Sequence, residues 1–354
     1  MTTRIRFRQI LLRWYHAHKR DLPFRHTRDP YRIWISEVIF QQTRIGQGMD
    51  YYRRFVKRFP EVRTLAAASE REVLALWQGL GYYARARNLL AAARQIVSEH
   101  HGKFPREYEK IRKLKGIGDY SAAAIASVSF GLPYPAVDGN VMRFLARYAG
   151  MPLPVLSTQG KKAITEIASD LMDRNHPGDF NQALIEMGAL QCIPANPDCG
   201  KCPFRKSCYA FTMDRVAALP VREKSAAPRS RYFNYLVISH QANPGPFYIR
   251  LREDDDIWKN LYDFPLIETP AVIAPEKLTD TREWKKIFGK RKAGILSASG
   301  IHRHVLSHQV IFARFIKVTI DGRSPMPYQL CRPGQVRKFP FPRLVDKYLN
   351  NPAG

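Results

Sequence analysis

The chain has 354 residues, 45% of them apolar and 25% charged, which suits a folded protein of about two domains with ordinary cores. Lys and Arg total 57 against 31 Asp and Glu, and a net charge of +26 spread over apolar-periodic sequence points to a folded basic surface with a polyanionic partner, nucleic acid first. No apolar run approaches the roughly 18 residues of a membrane span, and the opening MTTRIRFRQILLRWYHAHKR lacks a signal-peptide core, so a cytosolic or nucleoid-associated protein is expected.

From residue 4 to about 190 the apolar residues recur at threes and fours, the period of helices. Asp29 and Pro30 open one predicted helix, which runs from Tyr31 to Ile45 with Ile35, Val38 and Ile39 on one stripe. Further helices are expected at 46–58, 70–77, 82–99, 118–129, 140–148, 159–174 and 178–190. Residues 215–231 (RVAALPVREKSAAPRSR) read as a linker. Beyond it, YFNYLVISH, PFYIRLR and HQVIFARFIKVTI are short, β-branched and aromatic, predicting strands, with helices around 281–289 and 342–350. The expected organisation is a helical domain over 1–214, a linker over 215–231 and an α+β domain over 232–350.

Within the first helix, Glu37 has Ile33, Trp34 and Phe40 at i−4, i−3 and i+3, and Gln41 at i+4. Largely apolar surroundings raise a carboxyl's pKa, and a Glu that keeps its proton near neutrality is a competent general acid in glycosidic-bond cleavage. A solvated or ion-paired Glu on an amphipathic helix is the plainer alternative. Leu114-Lys115-Gly116-Ile117-Gly118-Asp119-Tyr120 lies between two helical patterns. Gly116 and Gly118 let backbone amides come close to a phosphate beside a helix N-terminus, as in a helix-hairpin-helix clamp on a DNA backbone, although a simple interhelical turn has the same residues. Asp138 in Val137-Asp138-Gly139-Asn140-Val141 directly precedes a helix. It is placed to be an N-cap, and amide hydrogens donated to it would keep it ionised and able to stabilise a developing cation.

Cys192, Cys199, Cys202 and Cys208 fall within seventeen residues, with Cys331 far away. Such short gaps make poor disulfide loops but can converge on one soft centre, Zn or an iron-sulfur cluster, which the spacing does not separate. A reduced thiol cluster fits a cytosolic protein.

Seven strings in one order carry a family resemblance: Leu22-Pro23-Phe24-Arg25, Pro30-Tyr31 through SEVIFQQT, GLGYYARARN (Gly79 to Asn88), LKGIGDY, VDGNV, FNQALIEMGAL and the four cysteines. Over about residues 8–210 they resemble the adenine DNA glycosylases of the MutY family. The resemblance implies an all-α helix-hairpin-helix glycosylase domain carrying a [4Fe-4S] cluster on Cys192, Cys199, Cys202 and Cys208, acting on adenine mispaired with 8-oxoguanine or guanine in double-stranded DNA. It makes Glu37 the acid that protonates adenine N7, Asp138 the carboxylate facing the sugar cation, Tyr120 a pocket tyrosine and Asn140 the partner that orients Asp138. Arg20, Phe24, Arg25 and Glu186 match pocket-lining positions more loosely, and Phe24 stands where Trp is commoner, keeping stacking without an indole donor. Gln42 and Tyr82 look like residues that wedge into the duplex as adenine flips out.

In the second domain, Asp256 to Pro265 (DIWKNLYDFP) and His304-Val305-Leu306-Ser307-His308 resemble the family's C-terminal signature strings, in a domain similar to Nudix hydrolases that reads oxidised guanine. Leu306 replaces the usual Phe of that loop, leaving Ser307 and His308 as the polar contacts. TDTREWKKIFGKRK has a single Glu, so no pyrophosphatase activity is expected. Cys331 reads as a plain buried thiol. The resemblance implies a monofunctional enzyme and a monomer. Related endonuclease III-like enzymes nick the strand through a Lys just after the hairpin, where this chain has Tyr120. A non-catalytic DNA-binding module would not need Glu37 or Asp138.

Overall fold

The computed structural model describes residues 3–221, 227–243, 245–306, 308–321 and 328–351. The chain divides into two compact units, one made of Met1–Ala68 with Asn88–Ser225 and the other of Ser69–Arg87 with Ala226–Gly354. The expected helical domain is thus interrupted, because residues 69–87 make their contacts with the second unit.

In chain order the helices up to residue 130 are α1 (Thr3–His18), α2 (Pro30–Phe40), α3 (Ile45–Arg58), α4 (Val62–Ala66), α5 (Glu70–Trp77), α6 (Ala84–Glu99), α7 (Tyr108–Arg112) and α8 (Asp119–Phe130). Then follow α9 (Gly139–Ala149), α10 (Thr158–Leu171), α11 (Pro177–Glu186) and α12 (Tyr209–Thr212). Of these, α5 and the first turn of α6 are counted with the second unit.

Asp29 starts α2 by accepting the Tyr31 amide at 3.0 Å, with Pro30 in the first turn, and Ile33, Trp34, Ile35, Val38 and Ile39 are buried along it. The single helix expected from Tyr31 to Ile45 breaks at Gln41, because Gln42 takes a left-handed backbone with φ of 54° before α3 begins. Ala122, Ala123, Ala124 and Ala126 of α8 are all buried, and such small side chains let α8 lie close against α2. The helix expected over 178–190 ends in a wider π-helical turn, Met187–Gln191, closed by the Cys192 amide on the Met187 carbonyl at 2.7 Å.

The first unit's core joins Phe7, Leu11 and Tyr15 of α1 to Phe144 and Leu145 of α9, Phe180 and Leu184 of α11, and Phe204. Each large side chain buried here contributes roughly 1.5–3 kcal/mol of transfer free energy. The start of the expected linker belongs to this unit: the Ala218 and Leu219 amides bond to the Arg215 carbonyl, Leu219 is buried and its carbonyl accepts from Arg147 Nε at 2.9 Å. Its end belongs to a strand, which begins at Arg229.

The second unit contains β1 (Arg229–His240), β2 (Phe247–Leu251), β3 (Tyr262–Asp263), β4 (Leu266–Thr269), α13 (Arg282–Phe288), β5 (Ala293–Ala298), β6 (His302–Val305), β7 (Gln309–Ile320), β8 (Gln329–Cys331) and α14 (Arg343–Asn350). One sheet runs β4-β1-β7-β5 with β6 also on β7, and a smaller one runs β3-β2-β8. Strands β1 and β7 are parallel, with Tyr235 opposite Phe315. Their alternation is read on both faces. Phe233, Tyr235, Ala313 and Phe315 turn to α14, whereas Leu236, Ile238, Ile316 and Val318 turn to α13, so both long strands bury apolar side chains on both faces.

Candidate active site

A cleft of about 1040 Å³ opens in the first unit, walled by α2, the Gln41–Arg44 step, the N-termini of α8 and α9, and α11. Glu37, Tyr120, Asp138 and Asn140 line it together. Arg20, Phe24 and Arg25 line it from the end of α1 and the turn that follows, and Gln42 and Gly118 line it too. Gln41 Nε2 donates to Ser121 Oγ at 3.1 Å, tying the α2 end to α8 across the cleft's edge.

Glu37 sits in α2 with most of its surface covered, and desolvation pushes its carboxyl up to about 7. A hydrogen bond from Tyr120 and the charge of Arg25 pull the other way, while the negative charge of Asp138 adds to the rise. Burial likewise drives the Tyr120 phenol far above its ordinary range, so it stays protonated and donates to Glu37.

Asp138 caps α9. Its Oδ1 accepts the amides of Asn140 at 2.9 Å and Val141 at 2.8 Å, and its Oδ2 accepts Asn140 Nδ2 at 2.7 Å. Burial raises this carboxyl above the usual aspartate value, against the expectation from the cap alone. The cap bonds and the Arg143 charge oppose burial, and Asp138 acts on Glu37 as a charge, so of the two carboxyls Glu37 is the one that holds its proton longer.

Glu186 departs from its expected place. Instead of lining the cleft it is fully buried, bound by Arg20 Nε and Nη2 at 3.0 and 2.9 Å and by Arg25 Nη2, so it anchors the two arginines that do line the cleft. Phe24 meets the rings of Phe40 and Tyr52, with centroids at 5.1 and 5.8 Å.

Between α7 and α8 the hairpin turns at Gly116, whose φ is 77°. A Cβ there would meet the Asn88 side chain at 2.5 Å, so neither the backbone nor the space admits another residue. Gly118 lies at the α8 N-cap and Lys115 is exposed, its amide held by Gln95 Oε1 at 3.2 Å. Among the described residues lining the cleft, none is a lysine.

Four residues that the pattern of the sequence did not single out organise this site. Arg143 Nη2 donates to Asn140 Oδ1 at 2.9 Å and to the Gly188 carbonyl at 2.7 Å, and its Nε donates to the Cys192 carbonyl at 2.8 Å. Gly188 must approach closely, since a Cβ on it would lie 2.4 Å from the Asn140 carbonyl. Asn181, buried, accepts the Ala136 amide and donates to Ser127 Oγ and the Tyr134 carbonyl, pinning the segment that leads into Asp138. Arg147, also buried, donates to the carbonyls of Ile193, Pro194 and Leu219. Only a helical spacing of four between Arg143 and Arg147 hinted at either.

The four clustered cysteines are free thiols around one small pocket walled by Phe144, Arg147, Phe204 and Phe211. No group of three or more His, Cys, Asp or Glu among the described residues is arranged to hold a metal ion. Burial pushes the Cys202 thiol up to about 11 and the Cys208 thiol upward, while donors face the sulfurs: Arg147 Nη1 points at Cys192 Sγ at 3.5 Å, the Phe204 amide donates to Cys202, and the Ala210 and Phe211 amides donate to Cys208. Cys331 is buried in the second unit.

In the second unit Tyr82 is exposed and left-handed, with φ of 50°. His308 is exposed and its carbonyl accepts the Arg229 amide, Leu306 packs against the core on the α14 side of the sheet, and Ser307 lies outside the described residues. No helix among the described residues is long and apolar enough to cross a membrane.

Residues 35–171 match the family of HhH-GPD superfamily base excision DNA repair proteins, and residues 234–351 match the NUDIX domain. The chain is 34% identical to an adenine DNA glycosylase of Buchnera aphidicola subsp. Acyrthosiphon pisum, over 99% of this chain and 98% of the relative. It is 42% identical to the Mus musculus adenine DNA glycosylase over 61% of this chain and 44% of that protein. A solved thermostable thymine-DNA glycosylase aligns with a TM-score of 0.55 at 30% identity, covering 59% of this chain and 97% of the other. An endonuclease III in a non-covalent DNA complex shares the fold at a TM-score of 0.52 and 20% identity, over 60% of this chain and 99% of that one. With the hairpin between α7 and α8 and a cleft walled by α2, α8, α9 and α11, these matches define a base-excision DNA glycosylase of the helix-hairpin-helix class with a Nudix-like second domain. Over nearly its whole length it belongs to the adenine DNA glycosylase family.

Proposed function

We propose that the protein hydrolyses the N-glycosidic bond of adenine mispaired with 8-oxoguanine or guanine in double-stranded DNA, leaving an abasic site. The observation that carries this reading is the pair of carboxyls in one cleft, one raised to about 7 and the other held by three hydrogen bonds. Adenine flipped into the cleft accepts the Glu37 proton at N7, which draws the C1′–N9 bonding pair onto the base. The sugar is left as an oxocarbenium-like cation, stabilised by ionised Asp138. Water adds at C1′ and loses its proton, completing a hydrolysis. Tyr120 orients Glu37, and Asn140 orients Asp138.

Arg20, Phe24 and Arg25 form the base pocket, with Glu186 behind them. The hairpin at Gly116 and Gly118 grips phosphate, Gln42 and Tyr82 enter the duplex, and Ser307 and His308 read the oxidised guanine. The net charge of +26 makes binding fall steeply with salt. Tyr120, just after the hairpin where strand-nicking relatives carry a lysine, supports a monofunctional enzyme. Cys192, Cys199, Cys202 and Cys208 would hold a [4Fe-4S] cluster, supported by the donors around their sulfurs; such a cluster would pin the loop after α11.

The test is alkali cleavage of duplexes with A:8-oxoG, A:G and A:C pairs at one salt concentration. Cleavage of the first two over the third is expected, and no borohydride-trapped adduct. Cleavage without alkali, together with a trapped adduct, would point instead to lyase chemistry.

A further inference from the structure

We propose that the Asp256–Pro265 string is a clasp on residues 69–87 that sets the position of Tyr82, so that Lys259 and Asn260 act on the reaction as positioning residues. The inference rests on the adenine-excision reading for what Tyr82 does, and on the following contacts for what holds it.

The turn that carries Tyr82 has little stiffness of its own. Gly79 and Gly81 have φ of 89° and 78°, and Tyr82 itself has φ of 50° with its side chain 50% exposed. A left-handed, solvent-facing tyrosine costs free energy and persists only where neighbours over-determine it. Locally the Gly81 carbonyl accepts from Trp77 Nε1 at 3.0 Å and Arg85 Nη2 at 3.3 Å, and the Arg85 guanidinium lies 5.3 Å from the Tyr82 ring centre.

Further constraint comes from the far end of the chain. Asn260 Nδ2 donates to Glu70 Oε1 at 2.6 Å, and Arg87 Nη1 donates to the Lys259 carbonyl at 2.7 Å, so the two ends of the 69–87 segment are gripped by adjacent residues. Tyr83 Oη donates to the Phe341 carbonyl at 3.0 Å while accepting the Gly79 amide at 3.2 Å, and Gln78 Nε2 donates to Asp346 Oδ1 at 2.9 Å. The clasp is itself strained and braced: Trp258 and Asn260 are left-handed at 62° and 63°. The Asn260 amide bonds the Arg252 carbonyl at 2.7 Å, and buried Arg252 donates to the Ile257 carbonyl and to buried Asp263. Beside its own core packing and the ion pairs of Asp256 and Asp263, the string grips both ends of the 69–87 segment, and its two left-handed residues are explained if their geometry is transmitted to the Tyr82 turn.

The test uses N260D in the full chain, which tolerates the left-handed backbone but sets a carboxylate against Glu70, and N260D/E70Q, which restores the hydrogen bond with its polarity reversed. Amide hydrogen exchange over residues 78–83 should quicken about tenfold in N260D and return to the native rate in the double variant. Single-turnover release of adenine from an A:8-oxoG duplex should fall about tenfold in N260D, recover with E70Q, and change less than about twofold when N260D is added to Tyr82→Ala. Unchanged exchange in N260D overturns the clasp, as does an equal loss of rate with and without Tyr82, the mark of general destabilisation. A native chain that releases no adenine would refute the excision reading instead, and the exchange comparison alone would then decide the clasp.

Discussion

Arg143 reaches Asn140 Oδ1 at 2.9 Å and, through the same guanidinium, the backbone carbonyl of Cys192 at 2.8 Å. Asn140 in turn binds Asp138, so the loop that carries the cysteines and the carboxylate of the cleft share one planar donor.

A lysine cannot serve three acceptors set around a planar fork, so Arg143→Lys should keep the fold yet slow adenine release about tenfold, with binding of an abasic-site duplex changed far less. Single-turnover rates beside duplex affinity separate the two. An unchanged rate would mean that Asn140 needs no support from Arg143.

Glu37→Gln should bind lesion duplex and release no adenine. In the native enzyme the rate should fall as pH rises through about 7, because only protonated Glu37 donates. Stability carries the same sign: between about 4.5 and 7 the folded chain keeps a proton that the unfolded chain has lost, so the native protein loses stability as pH rises across that window. At pH 8 Glu37→Gln should therefore be the more stable protein by about 2 kcal/mol, and no more stable at pH 4, as urea titrations at the two pH values will show.

Asp138→Asn retains a side-chain oxygen for the Asn140 and Val141 amides, so α9 should stay capped and the melting temperature nearly constant. Loss of the charge beside the sugar should lower the excision rate about a hundredfold or more. A large fall in melting temperature with the rate preserved would make Asp138 a cap alone.

Glu186→Gln leaves Arg25, largely buried, without its counter-charge, whereas Arg20 is open enough to turn to water. A loss of about 3 kcal/mol in unfolding free energy is expected, with weaker binding of the flipped base. Denaturant midpoints check the first and product-release kinetics the second.

The protein purified without chelators should contain iron and a broad absorbance near ~400 nm, both lost in Cys202→Ser. Zinc with a colourless solution would reassign the cysteines.

Local sequence was enough for the helical character of the first unit, the strands of the second, the Asp138 cap and the cysteine group, because apolar period, cap chemistry and short spacings act between near neighbours. The resemblance of its motif strings named the family. It was the tertiary structure that decided how those pieces meet. The break at Gln41, whose side chain reaches Ser121, the burial of Glu186 between two arginines and the span of Arg143 from Asn140 to Cys192 all involve groups far apart in the chain. The same holds for residues 69–87, whose own period predicts a helix and a turn but not that residues 259, 260 and 341 would hold them. Hydrogen bonds and desolvation are set by what the folded chain brings within a few ångströms, and one-dimensional spacing does not encode that distance.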